Sequence, residues 1–229
     1  MLNLHIEHPE DTILTGNLDF LKAIKSYTVA PHGHISVKID GSPAIVWGTH
    51  PVTHKFFVGT KSVFNKKLIK VNYTHKDIDN NHTGYVAIVL HACLTNLPKT
   101  EYIYQGDFLG FGGDNVFQPN TVTYVFPENI EHTIIVAPHT QYEIDECIVS
   151  PSINALRDTI AIPLYDQLES TEKTFFYQPI AIMSVCDFLR DRIDFALQMS
   201  QMVKFVDENE AKMLKSELNQ YIKEGKKID

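Results

Sequence analysis

The chain has 229 residues, of which 44% are hydrophobic and 21% are charged, and its formal net charge is −8. This composition predicts a globular protein with a sizeable core. The acidic balance argues against a general nucleic-acid coat, which requires clustered Lys and Arg. The N-terminus has no signal-peptide pattern, no apolar run is long enough to span a bilayer, and the three widely spaced cysteines indicate a reducing compartment. We therefore expect a cytoplasmic protein without a membrane partner.

After a short strand and turn predicted from His8, a helix is predicted that begins at Asn17 or Asp19 and runs to Tyr27. Asn and Asp are good helix caps, and the apolar residues that follow have helical spacing. His32 and His34 come next, in a predicted loop. Two histidines at this spacing are typical either of metal ligands or of a loop beside a phosphate site.

Lys38 lies just before the turn of a predicted β-hairpin. Apolar and polar residues alternate over 35–39, a turn cluster follows at 40–43, and the apolar run 44–47 predicts the second strand. A lysine amine can be held against a phosphate, and it becomes a nucleophile when neighbouring charge or burial lowers its pKa. Lys38 is therefore a candidate for either role, although any strand, turn and strand can produce the same pattern.

The next predicted strand covers residues 56–64 and includes Lys61. Residues 65–81 are the most basic stretch of this acidic chain and predict a loop. That loop either contacts a triphosphate or nucleic acid, or is a solvated surface. Residues 86–94 are apolar except for His91 and predict a buried helix.

An aromatic strand over residues 101–109 carries Gly106 and Asp107. A carboxylate in such a place suits a hard cation such as Mg²⁺. The structural alternative is a strand with a β-bulge at Gly106.

Further strands are predicted over 115–127 and 132–140, and proline-punctuated polar segments begin near residue 150. Residues 182–205 and the segment after Asp207 have the apolar spacing of helices. We therefore predict an α+β fold, with antiparallel sheets in residues 1–150 and a mainly helical region in residues 151–229.

The order Lys38-x-Asp40-Gly41 resembles the signature of the covalent nucleotidyltransferases, which are DNA ligases, RNA ligases and mRNA-capping guanylyltransferases. The resemblance covers roughly residues 30 to 140, and its wording is most similar to that of phage-encoded, ligase-like nucleotidyltransferases. It implies an antiparallel nucleotidyltransferase core, like the adenylation domain of ligases. It also implies that Lys38 attacks the α-phosphate of ATP, or less favourably of GTP, with Mg²⁺ or Mn²⁺ present.

The resemblance also implies roles for the other site residues. Asp40 is expected beside the lysine and the ribose, as the second catalytic residue, and Gly41 and Ser42 are expected in the nucleotide-binding turn. Lys61 stands where the family usually has Arg, and it is expected to contact ribose or phosphate. Asp107 replaces the usual Glu as a ligand of ribose or metal, and Glu146 approximates a later metal-binding Glu.

One departure from the family pattern leaves an alternative open. The chain has no convincing Lys-x-Lys strand to neutralise the α-phosphate, and this loss should raise the barrier to phosphoryl transfer. The alternative is a catalytically degenerate or truncated phage module that binds a nucleotide or nucleic acid. A third reading is a structural phage protein. If the chain is an enzyme, its acceptor is a DNA end, an RNA end or a protein.

Overall fold

The computed structural model describes residues 9–29, 37–144, 155–181 and 187–224. The helices are α1 (Asp19–Val29), α2 (His75–Asn81), α3 (Gly84–Asn96), α4 (Asp187–Met199) and α5 (Glu208–Lys223). The strands are β1 (Ala44–Thr49), β2 (Phe56–Gly59), β3 (Ile103–Phe111), β4 (Val116–Phe117), β5 (Tyr124–Val125), β6 (Ile134–Ile144), β7 (Thr159–Pro163) and β8 (Thr174–Phe176). Short 3-10 helices cover Pro9–Thr15, Lys61–Phe64 and Ala155–Asp158.

The main sheet has the strand order β2-β1-β3-β6-β7 with antiparallel neighbours, and β8 pairs in parallel with the beginning of β6. Strands β4 and β5 form a separate two-stranded ribbon. Antiparallel sheet and helices together confirm the predicted α+β class.

The chain divides into two compact units, and the first contains residues 37–179 with the whole main sheet. Within it α3 packs on the sheet, and its buried Leu90 and Cys93 share a core with Trp47 and Phe108. Strand β1 is buried over its four middle residues, as expected for a continuous apolar run in the interior of a sheet.

The second unit contains the described residues of 7–36 and 180–229. In this unit α1 contacts α4, and Lys25 forms an ion pair with Asp194. Helix α5 contacts the 3-10 helix Pro9–Thr15. None of the helices in the described ranges has the length and apolar character of a transmembrane span.

The predicted lysine hairpin is wrong in its first half. Residues 37–43 form no regular strand, whereas the predicted return strand is β1. Strand β1 pairs with β2 and β3, so its hydrogen-bonding edges are occupied by strands from elsewhere in the sequence. Lys38 therefore lies in a loop that leads into the sheet.

Three other expectations need correction. The strand predicted over 56–64 ends at Gly59, and the 3-10 helix that contains Lys61 begins after it, because the Thr60 hydroxyl accepts the backbone N–H of Ser62. The predicted basic loop contains α2. In place of the single strand predicted over 115–127, the structure has two strands of two residues each, β4 and β5.

Residues 159–176 were expected in the C-terminal helical region, but they contribute β7 and β8 to the main sheet. Both strands are short, so their alternation is too brief to be recognised in the sequence pattern. The helices of this region begin at Asp187.

The lysine loop is attached to β3 by backbone hydrogen bonds. The Ser42 N–H donates to the Phe108 carbonyl, and the Phe108 N–H donates to the Pro43 carbonyl, each at 3.0 Å. Gly41 lies against the same strand, and a β-carbon added there would stand 2.6 Å from the Phe108 carbonyl oxygen. Only glycine allows this close approach.

We expect Gly41→Ala to lower the free energy of unfolding by about 1–3 kcal/mol, because the added methyl group displaces the loop from β3. Chemical denaturation monitored by fluorescence measures the change. Ser42→Ala is the matched control, since the Ser42 side chain is exposed, and it should alter stability by less than about 0.5 kcal/mol. Equal stabilities for both variants would contradict the close packing.

Candidate functional site

Lys38 and Asp107 form the centre of a charged cluster in the first unit. The Lys38 Nζ lies 3.2 Å from Asp107 Oδ2 and 3.7 Å from Asp40 Oδ1. The Asp107 side chain is only 7% exposed, whereas that of Lys38 is 24% exposed. The lysine head group therefore lies between a buried carboxylate and a partly solvated one.

Asp107 is held in the middle of the sheet by its neighbours on both sides. It is paired with Ala44 of β1 and with Ala137 of β6. The Gly41 N–H also points to Asp107 Oδ2, with a nitrogen–oxygen distance of 3.4 Å. The carboxylate thus faces the lysine loop from a fixed position, and Gly41 contributes a backbone donor to it.

Asp40 is oriented by two side chains from a distant part of the chain. The Asn120 Nδ2 donates to Asp40 Oδ2 at 2.6 Å. The Tyr124 hydroxyl accepts the Asp40 N–H at 2.9 Å and donates to the Asp40 carbonyl at 2.8 Å. These contacts fix both the backbone and the carboxylate of Asp40 beside Lys38.

Lys61 is exposed, but its ammonium group is still influenced by the charges of the Lys38 cluster. Partial desolvation of its ammonium group lowers the pKa of Lys61. The Asp107 charge opposes this shift, the Lys38 charge adds to it, and the Asp40 charge opposes it more weakly. Lys61 therefore lies close enough to be influenced by all three charges of the cluster.

His139 also belongs to this cluster, although the sequence analysis did not identify it as a site residue. Its Nε2 lies 3.7 Å from Asp107 Oδ1, and its Nδ1 shares a hydrogen bond of 2.7 Å with the Thr140 hydroxyl. The His139 side chain is 10% exposed. Each oxygen of the Asp107 carboxylate therefore faces a nitrogenous side chain, Lys38 on one side and His139 on the other.

A β-bulge brings His139 to this position. Gln105 pairs with Thr140 and Gly106 pairs with Pro138, so His139 is an extra residue on β6 with no partner on β3. Bulges re-aim side chains and are frequent next to active sites. The bulge at Gly106 that the sequence offered as a structural alternative is therefore present, with its extra residue on the neighbouring strand. Pro138 was the available signal, because proline within a strand marks a bulge.

The pKa of Asp107 is lowered by this environment. Burial alone would raise the pKa, but the contacts with His139 and Lys38 outweigh burial. Asp107 is therefore an ionised, acceptor-only carboxylate at neutral pH.

Among the remaining expected residues, Ser42 contributes its backbone N–H to Phe108, and its side chain is exposed. Glu146, expected as a metal ligand, lies outside the described residues, as do His32 and His34. Within the described ranges no group of three or more His, Cys, Asp or Glu side chains could hold a metal ion. Mg²⁺ usually takes one or two protein carboxylates and completes its shell with water and substrate phosphates. Asp107 and Asp40 fit that limited requirement.

We expect Asp107→Asn to destabilise the protein in a pH-dependent manner. A carboxylate whose folded-state pKa lies below its ordinary value of 3.8 stabilises the fold above that value, and the stabilisation is lost as the pH falls through the folded-state pKa. The variant should therefore unfold more easily by about 1–3 kcal/mol at neutral pH, and the difference should shrink below about pH 4.

Urea denaturation at a series of pH values measures this difference in the free energy of unfolding. Asp166→Asn is the matched control, because Asp166 is exposed, and it should change stability little at any pH. A penalty for Asp107→Asn that stays constant from neutral to acid pH would contradict the assigned ionisation.

Comparison with known proteins identifies a family but no described activity. Neither the curated proteins nor the solved structures yield a match to the chain. A family model described as "Family of unknown function (DUF6267)" matches residues 3–229. Because this match extends over almost the whole sequence, the chain belongs to the DUF6267 family.

Proposed function

We propose that this protein is an ATP-dependent, ligase-like nucleotidyltransferase that forms a covalent lysyl-nucleotide intermediate at Lys38. The observation that supports the proposal is the position of the Lys38 amine, 3.2 Å from the buried Asp107 carboxylate and 3.7 Å from Asp40. All three residues are among those that the nucleotidyltransferase resemblance assigns to the site, and Lys38 and Asp107 come together although they are 69 residues apart in the sequence. The proposal includes the assignment of the main sheet as a nucleotidyltransferase core.

The proposed step transfers a nucleoside monophosphate to the lysine. The Lys38 ammonium has no lone pair, so it first loses a proton to solvent or to a neighbouring base. The neutral amine then attacks the α-phosphorus, a phosphorus–nitrogen bond forms, and the bond between the α-phosphorus and the bridging oxygen breaks. Pyrophosphate leaves with that electron pair, the nitrogen releases a second proton to solvent, and a phosphoramidate remains on the lysine.

The surrounding side chains have distinct parts in this step. Asp107 and Asp40 hold the amine in one place before the nucleotide binds, which reduces the entropy lost in reaching the transition state. Lys61 supplies positive charge for the triphosphate, as a single point charge in place of the fork of an arginine. Asp107 and Asp40 would also hold Mg²⁺ or Mn²⁺, which supplies charge neutralisation at the phosphates when it is bound.

The nucleotide is the first partner in this proposal, and a DNA or RNA end is the acceptor in the ligase-like reading. The cytoplasmic setting expected from the sequence belongs to the same proposal. The rival is reversible nucleotide binding without covalent transfer, as expected of a degenerate module. The two functions differ in whether a nucleotide stays attached after the protein is denatured.

We expect the intact mass of the protein to increase by one nucleoside monophosphate after incubation with ATP and Mg²⁺ or Mn²⁺. Incubation with GTP is the parallel arm that tests nucleotide choice. Lys38→Arg should abolish the mass increase, because a guanidinium keeps the positive charge but stays protonated and is not a nucleophile. Spectra should be recorded without acid, since the phosphorus–nitrogen bond is acid-labile.

Lys66→Arg is the matched control, because Lys66 is exposed and lies outside the cluster, and it should retain the adduct. An adduct that persists in Lys38→Arg would contradict the assignment of the nucleophile. Absence of an adduct in the unsubstituted chain, together with a rise in melting temperature on adding ATP, would favour the reversible binding module. Ligand at about one hundred times its Kd adds roughly 2.7 kcal/mol of stability.

A further inference from the structure

Two histidines outside the lysine cluster face each other across consecutive helices of the first unit. His75 is the first residue of α2, and His91 lies in the middle of α3. Their Nδ1 atoms are 2.8 Å apart, and their rings are nearly parallel, with centroids separated by 5.0 Å. The other ring nitrogen of His91, Nε2, lies 3.0 Å from Asp79 Oδ1.

These contacts determine which nitrogens carry protons. An ionised carboxylate only accepts hydrogen bonds, so the His91 Nε2 carries a proton and donates it to Asp79. In neutral His91 the Nδ1 then has a free lone pair, which accepts a hydrogen bond from the protonated Nδ1 of His75. A single proton therefore lies between the two Nδ1 atoms, and each of these nitrogens can offer a lone pair to a metal ion once that proton has left.

We propose that His75 and His91 bind a divalent transition-metal ion through their Nδ1 atoms, and that Asp79 orients His91 for this role. The ion binds to the two Nδ1 lone pairs and replaces the hydrogen bond between them, and the proton of that bond moves from Nδ1 to Nε2 of His75, so a neutral ring stays neutral. A carboxylate that accepts the remote N–H of a metal-binding histidine fixes its tautomer and increases its basicity. Asp79 already makes this contact.

The geometry favours Ni²⁺ or Cu²⁺ among the ions that imidazole binds. With metal–nitrogen bonds of about 2.0 Å, nitrogens 2.8 Å apart subtend nearly a right angle at the metal. Right angles occur in the tetragonal sites of Cu²⁺ and Ni²⁺, whereas a tetrahedral Zn²⁺ site requires a separation of about 3.3 Å. Water or an external ligand would complete the shell, because the described residues offer no third protein ligand here.

The scaffold around the pair is well defined, which reduces the entropy lost when an ion binds. The start of α2 is fixed by a capping box, in which Thr74 accepts the Asp77 N–H and the Asp77 carboxylate accepts the Thr74 N–H. Ile78 anchors the same helix in the core with no exposed surface. None of these residues belongs to the lysine cluster, so the metal site and the nucleotidyl transfer can fail independently.

Isothermal titration of the full chain with Ni²⁺, and separately with Cu²⁺, tests the site at neutral pH. We expect one equivalent to bind, and His75→Ala and His91→Ala each to weaken its binding by at least about tenfold. His54→Asn is the matched control, because His54 is exposed and its positive φ of 53° is tolerated by Asn. Circular dichroism should show that every variant retains the fold.

The variant Asp79→Ala distinguishes two possible roles of Asp79. The carboxylate either orients the His91 ring or only attracts the metal ion by its negative charge. The substitution should weaken binding roughly 10- to 100-fold in the unsubstituted chain and have no further effect when His91→Ala is also present. Binding at His32 and His34 instead is tested by the double variant His32→Ala/His34→Ala. That variant should still bind one equivalent of the metal ion. Failure of both ions to bind, or unchanged binding in His75→Ala or His91→Ala, would overturn the proposal. So would equal effects of Asp79→Ala in the two backgrounds.

Discussion

The buried carboxylate of Asp107 imposes the main constraint on the first unit. An ionised carboxylate in the interior of a sheet is costly unless charged or polar groups compensate it. In this protein the compensation comes from the Lys38 amine, the Gly41 N–H and the His139 ring. The lysine loop must therefore stay attached to β3, and the same contacts that keep Asp107 ionised hold the Lys38 amine beside its carboxylate.

The sheet accommodates this constraint through irregular pairing rather than through ideal strands. The extra residue on β6 brings His139 to Asp107, and a second shift follows between Phe108 and Gly110. On the β1 side of β3, the lysine loop extends the backbone hydrogen bonding between β1 and β3, although the loop itself is not a regular strand. These departures from regular pairing are concentrated around Asp107, and the bulge re-aims the His139 side chain toward its carboxylate.

Sequence reasoning succeeded where a signal is local and failed where a partner comes from a distant segment. The apolar run of α3 and the strand that carries Asp107 are long enough to be recognised from their sequence patterns alone. The nucleotidyltransferase resemblance assigned Lys38 and Asp107 to one site, but it did not predict their ion pair, because no local pattern joins positions 69 residues apart. His139 lies inside the strand predicted over 132–140, but its place in the cluster was missed because the bulge that turns it toward Asp107 forms only on pairing with β3. The histidine pair was missed because residues 65–81 have the composition of a polar loop.

The central claim, that Lys38 is a covalent nucleotide acceptor, is tested most directly by locating the attached group. Tandem mass spectrometry of the protein after incubation with ATP and Mg²⁺, with proteolysis under neutral conditions, assigns the modified residue. The account predicts a nucleoside monophosphate on the side-chain nitrogen of Lys38. A nucleotide found on Lys61 or elsewhere, with Lys38 unmodified, would contradict it.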